Sequence, residues 1–256
     1  MSNSSNGAKA ALVTGGAKRI GRSISLRLAR AGYAIAIHCN RSEDEARELK
    51  REIEDGGGQC AVCVADLTDN NVAGRLAADA GKALGPLTLL VNNASVFEED
   101  GIATLTAENW SHQMAINFAT PVFLAKAFAA QAPAGRSSIV NILDQRVLKP
   151  TPLFFSYSLS KAALHSATHM LAQALAPGIR VNGVAPGPTL PSSRQSAKDF
   201  IEQSSKLPLG RGASAEDVAE AVLYLAGAAG VTGTVIPVDG GQHVAWQTPE
   251  ISGIRE

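Results

Sequence analysis

Seven short apolar runs, near residues 10–14, 33–38, 59–65, 87–93, 138–143, 179–184 and 234–238, alternate with longer stretches of helical period. Strands separated by crossover helices pair in parallel, and a parallel sheet is covered by helices on both faces. The alternation therefore implies an α/β chain built on a doubly wound sheet of seven parallel strands. Local signals mark helix ends. Ser42 with Glu45 has the capping-box pattern, Thr106 and Ser214 are N-cap residues, and Gly32 stands where the first helix needs a left-handed residue to stop. No Pro/Gly/Ser linker interrupts the pattern, which makes residues 9–256 one domain preceded by a disordered N-terminus, 1–8. One long irregular stretch runs from Ala185 to about Leu209 and carries Pro186, Pro188, Pro191 and Pro208. A short helix is expected within it around Ala197 to Ser205, and a segment of that length suits a loop over a substrate.

Composition narrows the partners. Lys plus Arg and Asp plus Glu both number 23, so no global field gathers nucleic acid or an anionic membrane. No apolar run reaches the roughly 18 residues of a membrane span. The start, Met1-Ser2-Asn3-Ser4-Ser5-Asn6-Gly7, lacks the basic and apolar parts of a signal peptide. A soluble, cytoplasmic protein is expected. With 45% hydrophobic but only 5% aromatic residues, the core should be aliphatic. Cys39, Cys60 and Cys63 read as buried free thiols. Cys60 and Cys63 have the spacing of half a zinc site but fall on opposite faces of a strand, so no metal is expected.

The first strand leads into Thr14-Gly15-Gly16-Ala17-Lys18-Arg19-Ile20-Gly21, and a helix follows at once. Glycines let the backbone bend tightly and approach a pyrophosphate, whose charge is met by free N–H groups and the positive end of the helix dipole. After the first strand of a βαβ unit, such a turn marks a Rossmann-type dinucleotide site. The second strand ends in His38-Cys39-Asn40-Arg41-Ser42, with no acidic residue before Glu43. An acid at this point would hold the ribose 2′-hydroxyl of NAD, whereas a guanidinium and hydroxyl donors suit the 2′-phosphate of NADP. Arg41 and Ser42 are expected to cradle that phosphate, with His38 and Lys18 nearby.

Tyr157 and Lys161 stand four residues apart and share one helix face. Thirteen residues before the tyrosine, Asp144 ends the apolar run Ser138 to Leu143 and should project from a strand tip toward that pair. An ionised carboxylate there would raise the phenol pKa and oppose proton release. A strand-end aspartate capping the next turn is the plainer reading of Asp144.

These motifs together resemble the short-chain dehydrogenase/reductase family over nearly the whole chain. The resemblance implies that Thr14 to Gly21, including Gly15, Lys18, Arg19, Ile20 and Gly21, is the cofactor turn. Asp66 with Leu67 would contact adenine, and Asn92-Asn93-Ala94 with Ser95 would end the fourth strand against the cofactor. Asn40 belongs to the phosphate end, and Pro186-Gly187-Pro188-Thr189 to the nicotinamide side. Asn117, Tyr157 and Lys161 fall at the family's catalytic asparagine, tyrosine and lysine. Lys161 is expected to lower the Tyr157 pKa and hold the nicotinamide ribose, while Asn117 holds a water in the proton path. The resemblance also implies NADPH as cofactor and a homotetramer.

Two departures sharpen the resemblance. Arg19 replaces the second glycine of the usual turn, and Asp144 replaces the catalytic serine. Both recur in pteridine reductases and dihydromonapterin reductases, as do the patterns at Thr14 to Arg22, His38 to Ser42 and Asn93 to Phe97. By that resemblance Phe97 would cover one face of a pterin whose other face lies on the nicotinamide, and Ser95 and Arg19 would bind pterin or cofactor phosphate. A protonated Asp144 would pass a proton through Tyr157 to a ring nitrogen. The expected activity is NADPH-dependent reduction of a pterin or dihydropterin. A carbonyl reductase of the same family, or a cofactor-sensing protein without chemistry, are the alternatives.

Overall fold

All seven apolar runs are strands of one parallel sheet in the computed structural model, which describes residues 9–69, 71–192 and 194–247. The segment 1–8, expected to be disordered, lies outside the described residues. The strands are β1 (Lys9–Val13), β2 (Tyr33–Cys39), β3 (Cys60–Val64), β4 (Leu89–Asn92), β5 (Ser137–Ile142), β6 (Ile179–Pro186) and β7 (Val235–Val238). Their order is β3-β2-β1-β4-β5-β6-β7, so the winding reverses between β1 and β4. At such a reversal the connections leave in opposite directions, and a crevice opens at the carboxyl ends of the strands.

Burial on both sides explains why the runs are continuous rather than alternating. On one face Val13, Ile35 and Ile37 meet Ile24 and Leu28 of α1 (Arg19–Arg30), Leu49 of α2 (Glu43–Asp55) and Val222 of α8 (Ala215–Gly227). On the other, Leu12, Leu90 and Val181 meet Leu76 of α3 (Val72–Leu84), Phe128 of α5 (Thr120–Ala129) and Ala172 of α6 (Phe155–Leu175). Each fully buried Leu or Ile contributes about 2 kcal/mol. Cys60 packs in the first cluster and Cys63 against the second, as the period of a strand requires. Among the described residues no helix is long and apolar enough to cross a membrane.

Capping follows the sequence at three ends and departs from it at one. Thr106 accepts from the Asn109 N–H ahead of α4 (Ala107–Met114), and Gly32 takes φ +85° after α1. Ser214 closes a full capping box, accepting from Asp217 N at 3.0 Å while the Asp217 carboxylate accepts from Ser214 N at 2.8 Å. Ser42 makes no side-chain cap bond, and the Glu45 side chain pairs with Lys18 instead of reaching back to it. The short helix expected in the irregular segment is α7 (Ala197–Ser205), although the segment begins later than expected because β6 runs on to Pro186. Replacing Ser214 with Ala should cost about 1 kcal/mol, read as a lower urea midpoint at an unchanged m-value. An unmoved midpoint would show that the box contributes nothing.

Candidate active site

The crevice is closed at its floor by a polar clasp. Thr14 Oγ1 accepts from the N–H groups of Asn93 (2.9 Å) and Ala94 (3.0 Å), while Asn93 Nδ2 donates to the carbonyls of Thr14 (2.9 Å) and Gly15 (3.0 Å). Four hydrogen bonds thus join the end of β1 to the end of β4. Gly15 sits at φ +59°, and a Cβ on Gly21 would lie 2.1 Å from the Gly15 carbonyl oxygen, so the two glycines are required by the turn itself. Arg19 also has a positive φ, +54°, and its Nη2 donates to Leu190 (3.3 Å) and Pro191 (3.0 Å) carbonyls. It straps the turn to the loop after β6.

The rest of the expected cofactor set lies along the same crevice. Asn40 and Arg41 are exposed beyond β2, with Ser42 half-buried beside them. Asp66, exposed after β3, accepts from the N–H and hydroxyl of Thr68, both at 2.9 Å. Those bonds, helped by the Arg41 and His112 charges, hold its carboxyl below its usual range. Leu67 is buried, its carbonyl accepting from Thr120 Oγ1 at 2.7 Å. Past Pro186, Gly187 N donates to Val238 O, and a Cβ on Gly187 would lie 2.8 Å from Asp239 Cα. Thr189 donates to Gly187 O at 3.0 Å. Two residues depart from the expected placement. Lys18 is tied to Glu45, and the His38 ring lies buried beneath the turn with both nitrogens hydrogen-bonded. The glycine-lined turn, the exposed Arg41 and Asp66 and the half-buried Ser42 fit an extended dinucleotide.

The chemistry-bearing residues come from β5 and α6. Asp100, buried, accepts from Ser156 N at 3.0 Å and from the Ser156 hydroxyl, and so fixes the start of α6. Tyr157 and Lys161 follow one turn apart. Lys161 Nζ donates to Ile142 O at 2.8 Å and lies 5.7 Å from the Tyr157 ring centroid. Tyr157 Oη donates to Asp144 Oδ2 at 2.9 Å. The same carboxylate accepts from Arg146, at Oδ1 from its N–H (2.9 Å) and at Oδ2 from Nη1 (3.0 Å). Asp144 therefore caps the 3-10 turn Gln145–Val147 and receives the phenol at once, so both readings of it hold.

Asn117 lies in a π-helical turn, Ala115–Ala119, and is fully buried. Its Oδ1 accepts from Val96 N (2.9 Å) and Ser95 Oγ (3.1 Å), and its Nδ2 donates to Val96 O (2.9 Å) and Ser160 Oγ (3.1 Å). Its side-chain amide is thus engaged at both ends, so the water expected of Asn117 is not one that this amide is free to hold. Such turns displace one residue from the helical register. Sequence periodicity carries no signal for that, nor for Ser160, which links Asn117 to the Tyr157 carbonyl.

Burial dominates the titrations. The Tyr157 phenol is raised well above its usual 10.0, first by burial and then by the charge and hydrogen bond of Asp144, with Arg146 pulling the other way. The downward shift expected from Lys161 is not found; Arg146 and Ser95 are the groups that pull the phenol down. Lys161 is itself lowered to about 8, because burial disfavours its charge more than Asp144 favours it.

A cavity of about 460 Å³ opens over this pair, lined among others by Arg19, Phe97, Asp144, Arg146, Phe154 and Tyr157. Phe97 faces it rather than the core. Its ring stacks on Phe154, centroids 4.2 Å apart at 20°, and meets Tyr157 edge-on at 4.6 Å. The guanidinium groups of Arg146 and Arg194 lie 5.2 to 5.5 Å from both Phe centroids. Near-equal distances put them beside the stack, not over a face, so hydrogen bonds to Asp144 and to Phe97 O hold them there. Phe154, at φ +53°, and Arg146 were not foreseen. An Asp with a basic residue two positions on was the one available hint.

Fold and site define a dinucleotide-dependent oxidoreductase. The profile of a family described as enoyl-(acyl carrier protein) reductase matches residues 15–243. A short-chain type dehydrogenase/reductase of Picea abies is 33% identical over 252 residues, covering 92% of this chain and 93% of that protein. The crystal structure of FolM alternative dihydrofolate reductase 1 from Brucella canis, complexed with NADP, is 49% identical with a TM-score of 0.92, over 95% of this chain and 97% of that one. Its counterpart from Brucella suis, also with NADP, gives 49% and 0.92 over 95% and 98%. This chain belongs to the short-chain dehydrogenase/reductase family.

The two buried groups set opposite pH trends. Between about 8 and 10.5 the unfolded chain holds the Lys161 proton more tightly than the folded one, so stability rises with pH across that window. Above 10 the folded chain keeps the Tyr157 proton that the unfolded chain releases, and stability falls. Urea midpoints at stepped pH should show the rise vanish in Lys161→Met and the fall vanish in Tyr157→Phe. Curves parallel to the parent in both variants would contradict this assignment.

Proposed function

We propose that this chain is an NADPH-dependent reductase of a pterin or dihydropterin. The carrying observation is the Tyr157–Asp144 hydrogen bond beneath a cavity walled by Phe97, a flat aromatic surface suited to a fused heteroaromatic ring. The 49% identity to a dihydrofolate reductase complexed with NADP supports both the substrate class and the cofactor. Arg19, Ile20 and Gly21 would hold the pyrophosphate, with Gly15 giving it a close backbone approach, Arg41 and Ser42 the 2′-phosphate, Asp66 the adenine, and Asn93 to Ser95 with Pro186 to Thr189 the nicotinamide half. A homotetramer and a cytoplasmic location complete the reading, on family grounds.

NADPH, when bound, would supply a hydride for a ring carbon and would itself become NADP+. Tyr157 gives its proton to the adjacent ring nitrogen, and Lys161 orients the ribose with the N–H bonds not used by Ile142 O. A phenol held above its usual pKa is a weak acid, so proton transfer follows the build-up of negative charge on that nitrogen. Asp144 accepts from both Tyr157 and Arg146, so solvent must protonate it before it can return a proton to the phenolate. Its side chain is 14% exposed, enough to reach water.

NADPH oxidation should be fast with dihydrobiopterin, dihydromonapterin or dihydrofolate and slow with a panel of ketones. Turnover of ketones alone would sink the pterin reading. Tyr157→Phe should lower kcat by about 10²-fold or more. Asp144→Ser should depress pterin reduction while sparing or improving ketone reduction. Equal survival of both activities would leave Asp144 as a turn residue only.

A further inference from the structure

We propose that His38 is the positioning residue that assembles the dinucleotide site, acting on the backbone beneath the cofactor and not on its 2′-phosphate. This rests on the reading that the chain binds NADP(H). His38, one residue before the end of β2, is 2% exposed. Gly15 N donates to its Nδ1 at 3.1 Å, and its Nε2 lies 3.1 Å from the Ala65 carbonyl. An amide N–H can only donate and a carbonyl can only accept, so the ring is fixed as the neutral tautomer with the proton on Nε2. Neither nitrogen has anything left to offer a phosphate. Burial also lowers this imidazole to about 4, which keeps it neutral at ordinary pH.

The main chain repeats the same connections. Gly16 N donates to His38 O, and Ala65 N donates to Cys39 O, both at 3.0 Å. One residue therefore ties the glycine turn, the strand end that leads to Arg41, and the segment that leads to Asp66. These are the three places that pyrophosphate, 2′-phosphate and adenine would touch. The ring also holds Gly15 at φ +59°, where a Cβ would lie 3.0 Å from Ala94 Cα. Because His38 takes the N–H groups of both Gly15 and Gly16, the pyrophosphate has to be met by the first N–H groups of α1, at Arg19, Ile20 and Gly21, which have no intrahelical partner.

A turn anchor and a phosphate ligand fail differently, which titration of NADPH and of NADH against the same variants resolves. His38→Leu leaves the part-buried Gly15 N–H and Ala65 carbonyl without this partner, and should weaken both nucleotides about tenfold or more, by factors agreeing within about twofold. His38→Gln offers an acceptor oxygen and a donor nitrogen at similar reach and should restore most of the loss. Arg41→Gln, the control, should weaken NADPH and leave NADH nearly unchanged. If His38→Leu does not fold, His38→Gln against the shorter His38→Asn gives the same comparison, with Asn failing for both nucleotides. Loss confined to NADPH would make His38 a phosphate ligand and overturn the proposal, as would unchanged affinity for both. A parent protein that binds neither nucleotide would instead remove the cofactor reading itself.

Discussion

Everything at the site depends on the reversal of winding between β1 and β4. Two strands whose following segments leave in opposite directions cannot cover their own carboxyl ends, and the backbone groups exposed there must be satisfied by something other than a neighbouring strand. The chain does this with Thr14 and Asn93, each bonding to the other's segment. The clasp leaves the glycine turn, Ala94 and Ser95 facing one crevice. Remove it and the cofactor turn and the substrate wall lose their common reference.

A second tier of buried polar bonds carries that reference to the reacting groups. Asn92 donates to Asn141 and Asn141 to Thr168, linking β4, β5 and α6 below the site. Asn117 joins the segment after β4 to α6 through Val96 and Ser160, and Asp100 fixes the start of α6. Buried polar groups are costly to unpair, so these bonds tolerate little movement, even though Asn92 Oδ1 itself has no partner. The rigidity lets a tyrosine from α6 and a carboxylate from the end of β5 meet within hydrogen-bonding reach, with Lys161 one helical turn further on.

Arg146 changes the character of that meeting. A carboxylate alone beside Tyr157 would repel a phenolate, whereas one shared with a guanidinium repels it less, as the opposing effects on the Tyr157 titration show. The same guanidinium stands beside the Phe97–Phe154 stack, so the Tyr157–Asp144 hydrogen bond and the aromatic wall share a residue.

The sequence by itself determined the seven strands, the parallel winding, the cofactor turn and the Tyr157–Lys161 pair. All of these follow from continuous apolar runs set between stretches of 3.6-residue period or from local backbone demands such as those of Gly15 and Gly21. It also placed Asp144 near Tyr157, since a strand tip and a helix face thirteen residues apart are joined by a short connection. Only the tertiary structure decided what those residues are bonded to. His38 turned from a phosphate neighbour into a buried anchor, Lys18 was taken by Glu45, Asn117 came to rest in a π-helical turn, and Tyr157 was raised where Lys161 had been expected to lower it. Hydrogen-bond partners and burial arise from segments brought together across the sheet. A linear pattern records which groups a residue carries, but not which of them the fold has already used.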